Sequence, residues 1–100
     1  MIKEKKMNSI NELIVLCEKF KENAFEIKEF QSKLEEILLP DVCKHTLEKA
    51  QHNTHNNLEE IIYCYNKETG KIYAEKVAEE LIQAAKIEQK RLENYKPYQE

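Results

Sequence analysis

The chain has 100 residues, one glycine, two prolines and no tryptophan, a composition that leaves little room for anything except helices. Its 41% hydrophobic content can build one modest core without staples, and 35% charged residues fit helices with solvated outer faces better than disorder. The net charge of −3 is uneven: Met1–Lys6 carries +2 and Lys86–Glu100 carries +1, leaving −6 on residues 7–85. That acidic body repels nucleic acid, and Arg91 as the single arginine argues against phosphate recognition; a basic protein surface would instead be attracted.

In chain order, residues 1–8 read as a flexible basic terminus. Ser9 with Glu12 forms a capping box, and Ile10, Leu13, Ile14, Leu16, Cys17 and Phe20 then repeat at helical spacing. Lys21-Glu22-Asn23 closes this helix. A second helix enters near Asn23–Glu26, with the stripe Ile27, Phe30, Leu34, Ile37 and Leu38, and stops before Pro40. Val42, Cys43, Leu47 and Ala50 suggest a short helical segment, which the polar run Gln51–Asn57 breaks. Asn56 or Asn57 then caps a new helix carrying Leu58, Ile61, Ile62 and Tyr65. Asn66–Gly70 reads as a turn, and the last helix runs from Tyr73 past Leu92 on Val77, Ala78, Leu81, Ile82, Ala85 and Leu92. Pro97 marks its end, with residues 96–100 frayed. The expectation is an all-α, antiparallel four-helix bundle over residues 9–95, with an irregular or extra helical segment near 41–57.

Cys17, Cys43 and Cys64 lack a CxxC spacing and read as reduced, buried thiols of a cytoplasmic protein. No signal peptide or membrane span is recognisable. His45, His52 and His55 invite a metal, but a stripe on one helix cannot close a zinc sphere, so solvated loop histidines are expected and no metal or cofactor. Ser9 is a cap, Ser32 has no activating base in the pattern, and one glycine cannot build a phosphate loop; an enzyme is not expected. Of the paired carboxylates, Glu59-Glu60 stands out. Tyr63 lies four residues on and points outward, Glu68 follows in the turn, and Glu75 starts the next helix. Tyrosine beside carboxylates is the composition of a protein-binding patch that faces Arg and Lys.

The segments Glu26-Ile27-Lys28-Glu29-Phe30, Leu58-Glu59-Glu60-Ile61-Ile62-Tyr63-Cys64-Tyr65 and Ile72-Tyr73-Ala74-Glu75-Lys76-Val77 follow in an order that resembles the small helical immunity proteins of the colicin D and contact-dependent inhibition kind. The likeness spans roughly residues 9–85 and rests chiefly on Glu29-Phe30 and Glu59-Glu60. It implies a four-helix bundle that neutralises a cognate tRNA-cleaving toxin nuclease, with Glu59, Glu60 and Glu68 standing in for RNA phosphates in a basic cleft. The alternative from the residues alone is a helical adaptor that takes a partner helix in an apolar groove. Nothing in the sequence sets the oligomeric state.

Overall fold

A computed structural model describes the backbone of residues 2–93 and the side chains of residues 8–93. Pro97 and the frayed segment expected at 96–100 lie outside the described residues. Among those described, the chain is all-helical, with α1 (Ile2–Lys21), α2 (Ile27–Glu36), a 3-10 turn (Asp41–Cys43), α3 (Leu47–Cys64) and α4 (Lys67–Glu93). α1 and α3 each pack against both α2 and α4, an arrangement compatible with a helical bundle. Its extents are 53 × 23 × 19 Å. No helix among the described residues is long and apolar enough to cross a membrane.

α1 starts at Ile2, so Ser9 sits inside the helix rather than at its cap, and residues 2–8 belong to its first turns instead of a separate tail. The expected apolar band is correct: Ile10, Leu13, Ile14, Leu16, Cys17 and Phe20 are all buried. Asn23 then takes a left-handed conformation with φ 71°. Ala24 N–H bonds the Lys19 carbonyl at 3.0 Å and Asn23 N–H bonds the Phe20 carbonyl at 3.0 Å. This pair of bonds is a Schellman stop, with asparagine in the place glycine usually takes.

α2 buries Phe30 and Leu34 fully, with Ile27 partly buried against the same core. The Phe30 ring lies flat on Phe20, with centroids 4.4 Å apart and planes 7° from parallel. The helix ends at Glu36, earlier than Pro40 requires, because Gln51 Nε2 donates to the carbonyls of both Leu34 and Ile37 at 2.9 Å. The Leu34 carbonyl would otherwise accept from Leu38 in a longer helix. Leu38, expected in the apolar stripe, is consequently 83% exposed. Gln31 returns the favour from α2, donating to the His55 carbonyl of α3 at 3.2 Å.

α3 does not break at Gln51–Asn57. It runs unbroken through that stretch, with Thr54 buried between Leu47 and Leu58, so neither Asn56 nor Asn57 is a cap. Weak helix propensity is outweighed here by burial at both ends of the helix. α4 likewise starts at Lys67, six residues before the expected Tyr73. Asn66 is its cap, the side-chain oxygen accepting from Thr69 N–H at 2.8 Å. Gly70 is therefore a buried helix residue and not a turn glycine. Its function is close approach: a Cβ there would meet Ile61 Cγ2 at 3.2 Å.

The far end of α4 carries a buried carboxylate, Glu88. It accepts from Arg91 Nε at 2.9 Å, Arg91 Nη2 at 2.8 Å and Thr46 Oγ1 at 2.7 Å. Arg91 also donates to the Val42 carbonyl at 3.2 Å. Thr46 precedes α3 but makes no side-chain cap to it; its hydroxyl ties the α2–α3 connection to α4 instead.

Candidate functional site

The inward residues Leu47, Thr54, Leu58 and Ile61 fix the orientation of α3. At about 100° per residue, Glu59 then falls on the shoulder towards α2, Tyr63 points almost directly away from the core, and Glu60 and Cys64 fall on the side towards α4. Glu59 is exposed, with Oε1 accepting from Gln31 Nε2 at 2.8 Å. Tyr63 is 79% exposed. Glu60 borders a groove between α3 and α4, together with Tyr73, Lys76, Val77 and Glu80.

Glu68 lies in the first turn of α4, on the rim of a wider concavity where the α1–α2 turn meets the end of α3. That concavity is mixed in charge: Lys67 pairs with Glu26 at 3.3 Å, and Lys28 and Lys71 share the rim. Glu75 is half-buried and faces Lys71 at 3.6 Å. Lys71 reaches Asn23 and lies 5.5 Å from the centre of the Phe20 ring. Glu75 is thus on the α1 side of α4, beside the Lys21–Glu79 ion pair that joins those helices. Glu59, Glu60 and Tyr63 share the last turns of α3, Glu68 sits just past them, and Glu75 is turned away.

Two side chains that the sequence pattern did not assign to the site, Tyr65 and Tyr73, meet at this corner, and Ile72 is exposed on the outer face of α4. Tyr65 was expected to close the core side, but α3 ends at Cys64 and Tyr65 takes an extended conformation, leaving it 46% exposed. Its ring meets that of Tyr73 at 4.8 Å, tilted by 39°. Ile72 is 60% exposed and Tyr73 40%. The signal available was Asn66: read as a cap rather than a turn residue, it places Ile72 nearly opposite the buried Ala74.

The histidines do not converge. His45 and His52 are exposed, and His55 Nε2 lies 2.6 Å from Glu35 Oε2 across the α2–α3 contact. His52 and His55 lie on a helix, not on the expected loop. Among the described residues no group of three or more His, Cys, Asp or Glu side chains is arranged to hold a metal ion.

Cys17 and Cys43 are buried, and burial pushes each thiol up to about 12. Cys64, expected to be buried, is exposed on the outer shoulder of α3. Because only accessible thiolate reacts, a thiol reagent such as Ellman's should modify a single cysteine in the native protein at pH 8 and all three in denaturant. Peptide mapping should find the rapid label on Cys64; fast labelling at Cys17 would contradict the packing of α1.

The chain matches no protein-family model, no curated protein and no solved structure.

Proposed function

We propose that this chain is a cytoplasmic protein-binding module, its four helices antiparallel, whose α3–α4 corner takes up a basic protein surface. The observation that carries the reading is the exposed pair Tyr65 and Tyr73, in ring contact at the α3–α4 groove, with Glu60 and Glu80 on its two helices; Glu59 and Tyr63 stand further round α3 and Glu68 in the first turn of α4. Aromatic rings that are partly free at no cost to the core supply contact area, while the carboxylates supply orientation and steer a cationic partner. The likeness to colicin D-type immunity proteins makes the specific role inhibition of a toxin nuclease by occlusion of its cationic cleft, with Glu59, Glu60 and Glu68 in place of phosphates.

The test is whether a neighbouring reading frame encodes a basic nuclease domain and, with that domain, growth protection in cells and binding read by calorimetry; no protection would remove the toxin reading. Glu59→Lys, Glu60→Lys and Glu68→Lys together should retain the helical circular-dichroism spectrum, since exposed substitutions away from core and caps shift stability by less than about 0.5 kcal/mol and the reversal of Glu68 in the first turn of α4 adds about 1 kcal/mol. Glu59 also loses its Gln31 partner, adding about 1 kcal/mol at most. Each close charge pair lost at an interface costs about 2–5 kcal/mol, so the triple variant should lose protection altogether. Glu12→Lys, Glu18→Lys and Glu22→Lys together, all exposed on α1 or the turn after it, change the net charge by the same amount and test for overall charge. Equal loss in both variants would assign the effect to long-range attraction and remove this corner as the site. Full protection by the Glu59, Glu60 and Glu68 variant would make the patch a solvated face.

A further inference from the structure

The groove between the end of α3 and the early turns of α4 has a more specific chemistry than the corner around it. Its volume is about 330 Å³, at the lower end of the range of ligand sites, so it is sized for a side chain rather than a helix. Ile61 and Val77 give it an apolar floor, Tyr65 and Tyr73 form one wall, and Glu60 and Glu80 stand on opposite helices at its rim. Gly70 contributes from below, since its missing Cβ lets Ile61 and Tyr65 of the α3 end lie close to α4. We infer that this groove is a seat for an arginine side chain of the partner protein. The inference rests on the protein-binding reading of this corner and names the residue type recognised there.

A floor of aliphatic carbon accommodates methylenes, a tyrosine face attracts a planar cation, and two carboxylates on separate helices accept from a forked donor. Arginine meets all three requirements. Lysine meets the first and, as a compact and strongly hydrated charge, the other two less well. An acidic side chain is repelled by Glu60 and Glu80, and an apolar one leaves both carboxylates without a cation. Lys76 shares the rim and opposes any incoming positive charge, so it sets an upper limit on affinity that its removal should raise.

The full chain, labelled with ¹⁵N, would be titrated with the blocked peptides Ac-Gly-Arg-Gly-NH₂ and Ac-Gly-Lys-Gly-NH₂ at low salt. The expected result is saturable shifts at the amides of residues 60–65 and 73–80, with the lysine peptide roughly three- to fivefold weaker. Glu60→Gln with Glu80→Gln should weaken the arginine peptide on the order of tenfold, and Tyr73→Leu should abolish the preference for arginine over lysine. Lys76→Ala should strengthen binding of both peptides. Equal affinity of the two peptides, or shifts spread equally to Glu12 and Glu18 on α1, would overturn the arginine seat. Selective binding combined with no protection by the wild-type chain would support the seat and remove the toxin reading. Absence of selectivity combined with loss of protection in the Glu59, Glu60 and Glu68 variant would do the reverse.

Discussion

Phe30→Ala should destabilise the protein by about 3–5 kcal/mol, the range for a buried aromatic ring replaced by a methyl group. The ring has no exposed surface, and α2, ten residues long, buries only one other side chain completely. Its loss also removes the stacking partner of Phe20, which joins α2 to α1. Against a total stability of about 5–15 kcal/mol for a typical domain, one substitution of this kind brings the chain close to unfolding. Urea denaturation followed by circular dichroism gives the measurement, and an unchanged midpoint would place Phe30 outside the core. Phe20→Ala should cost a similar amount. The double variant should cost less than the sum, because two stacked rings share one interaction of about 0.5–1.5 kcal/mol beyond their burial.

Arg91→Met should destabilise the protein by about 3–5 kcal/mol at neutral pH, because it leaves Glu88 buried and charged without its ion-pair partner. The same pair makes the native protein acid-sensitive. The Arg91 guanidinium, with help from the Thr46 hydroxyl and the Cys43 thiol and against the opposing effect of burial, holds the Glu88 carboxyl down at about 2, against an ordinary 4.5. A carboxyl depressed in the folded state contributes stability that is complete above the unfolded value and vanishes as pH falls through the folded one. The contribution here is about 3 kcal/mol, lost between pH 4.5 and pH 2. In Arg91→Met the largest cause of the depression is gone, with only the Thr46 and Cys43 bonds left against burial, so the variant should be weaker than the wild type at pH 7 and the gap should narrow as pH falls to 2. A gap that stays constant over that interval would show that Arg91 stabilises α4 by packing alone.

The apolar faces were legible from spacing because burial repeats with the helical period: every inward residue proposed for α1 is buried, as are Phe30, Leu34, Leu58 and Leu81. What spacing could not supply was the competition at helix ends. Ser9-x-x-Glu12 has the composition of a cap, but nothing in the preceding residues stops a helix, and α1 continues backwards to Ile2. Asn53, Asn56 and Asn57 favour turns in isolation, yet α3 is anchored beyond them on both sides, and tertiary burial outweighs about half a kcal/mol of propensity per residue. The candidate site was partly legible for the same reason. Glu59, Glu60 and Tyr63 follow from the phase of α3, whereas Tyr65, Ile72 and Tyr73 depend on where α3 ends and α4 begins, which is set by Asn66 and by the close packing at Gly70.

The polar centre of α3 has a further consequence for how the molecule opens. Between Leu47 and Leu58 the helix buries only Thr54 fully, and His52, Asn53, His55, Asn56 and Asn57 are all weak helix formers. The centre is tied to α2 by polar contacts of Gln51, His55 and Gln31 rather than by strong propensity or a continuous apolar seam. Amide hydrogen exchange should therefore be faster in the middle of this helix than around Leu58 and Ile61. The first turn stays clasped to α4 through Thr46 and Glu88, and the last turns stay seated through Leu58 and Ile61. A helix that opens at its centre and is held at both ends can shift the half that carries Glu59, Glu60 and Tyr63 without unfolding the rest.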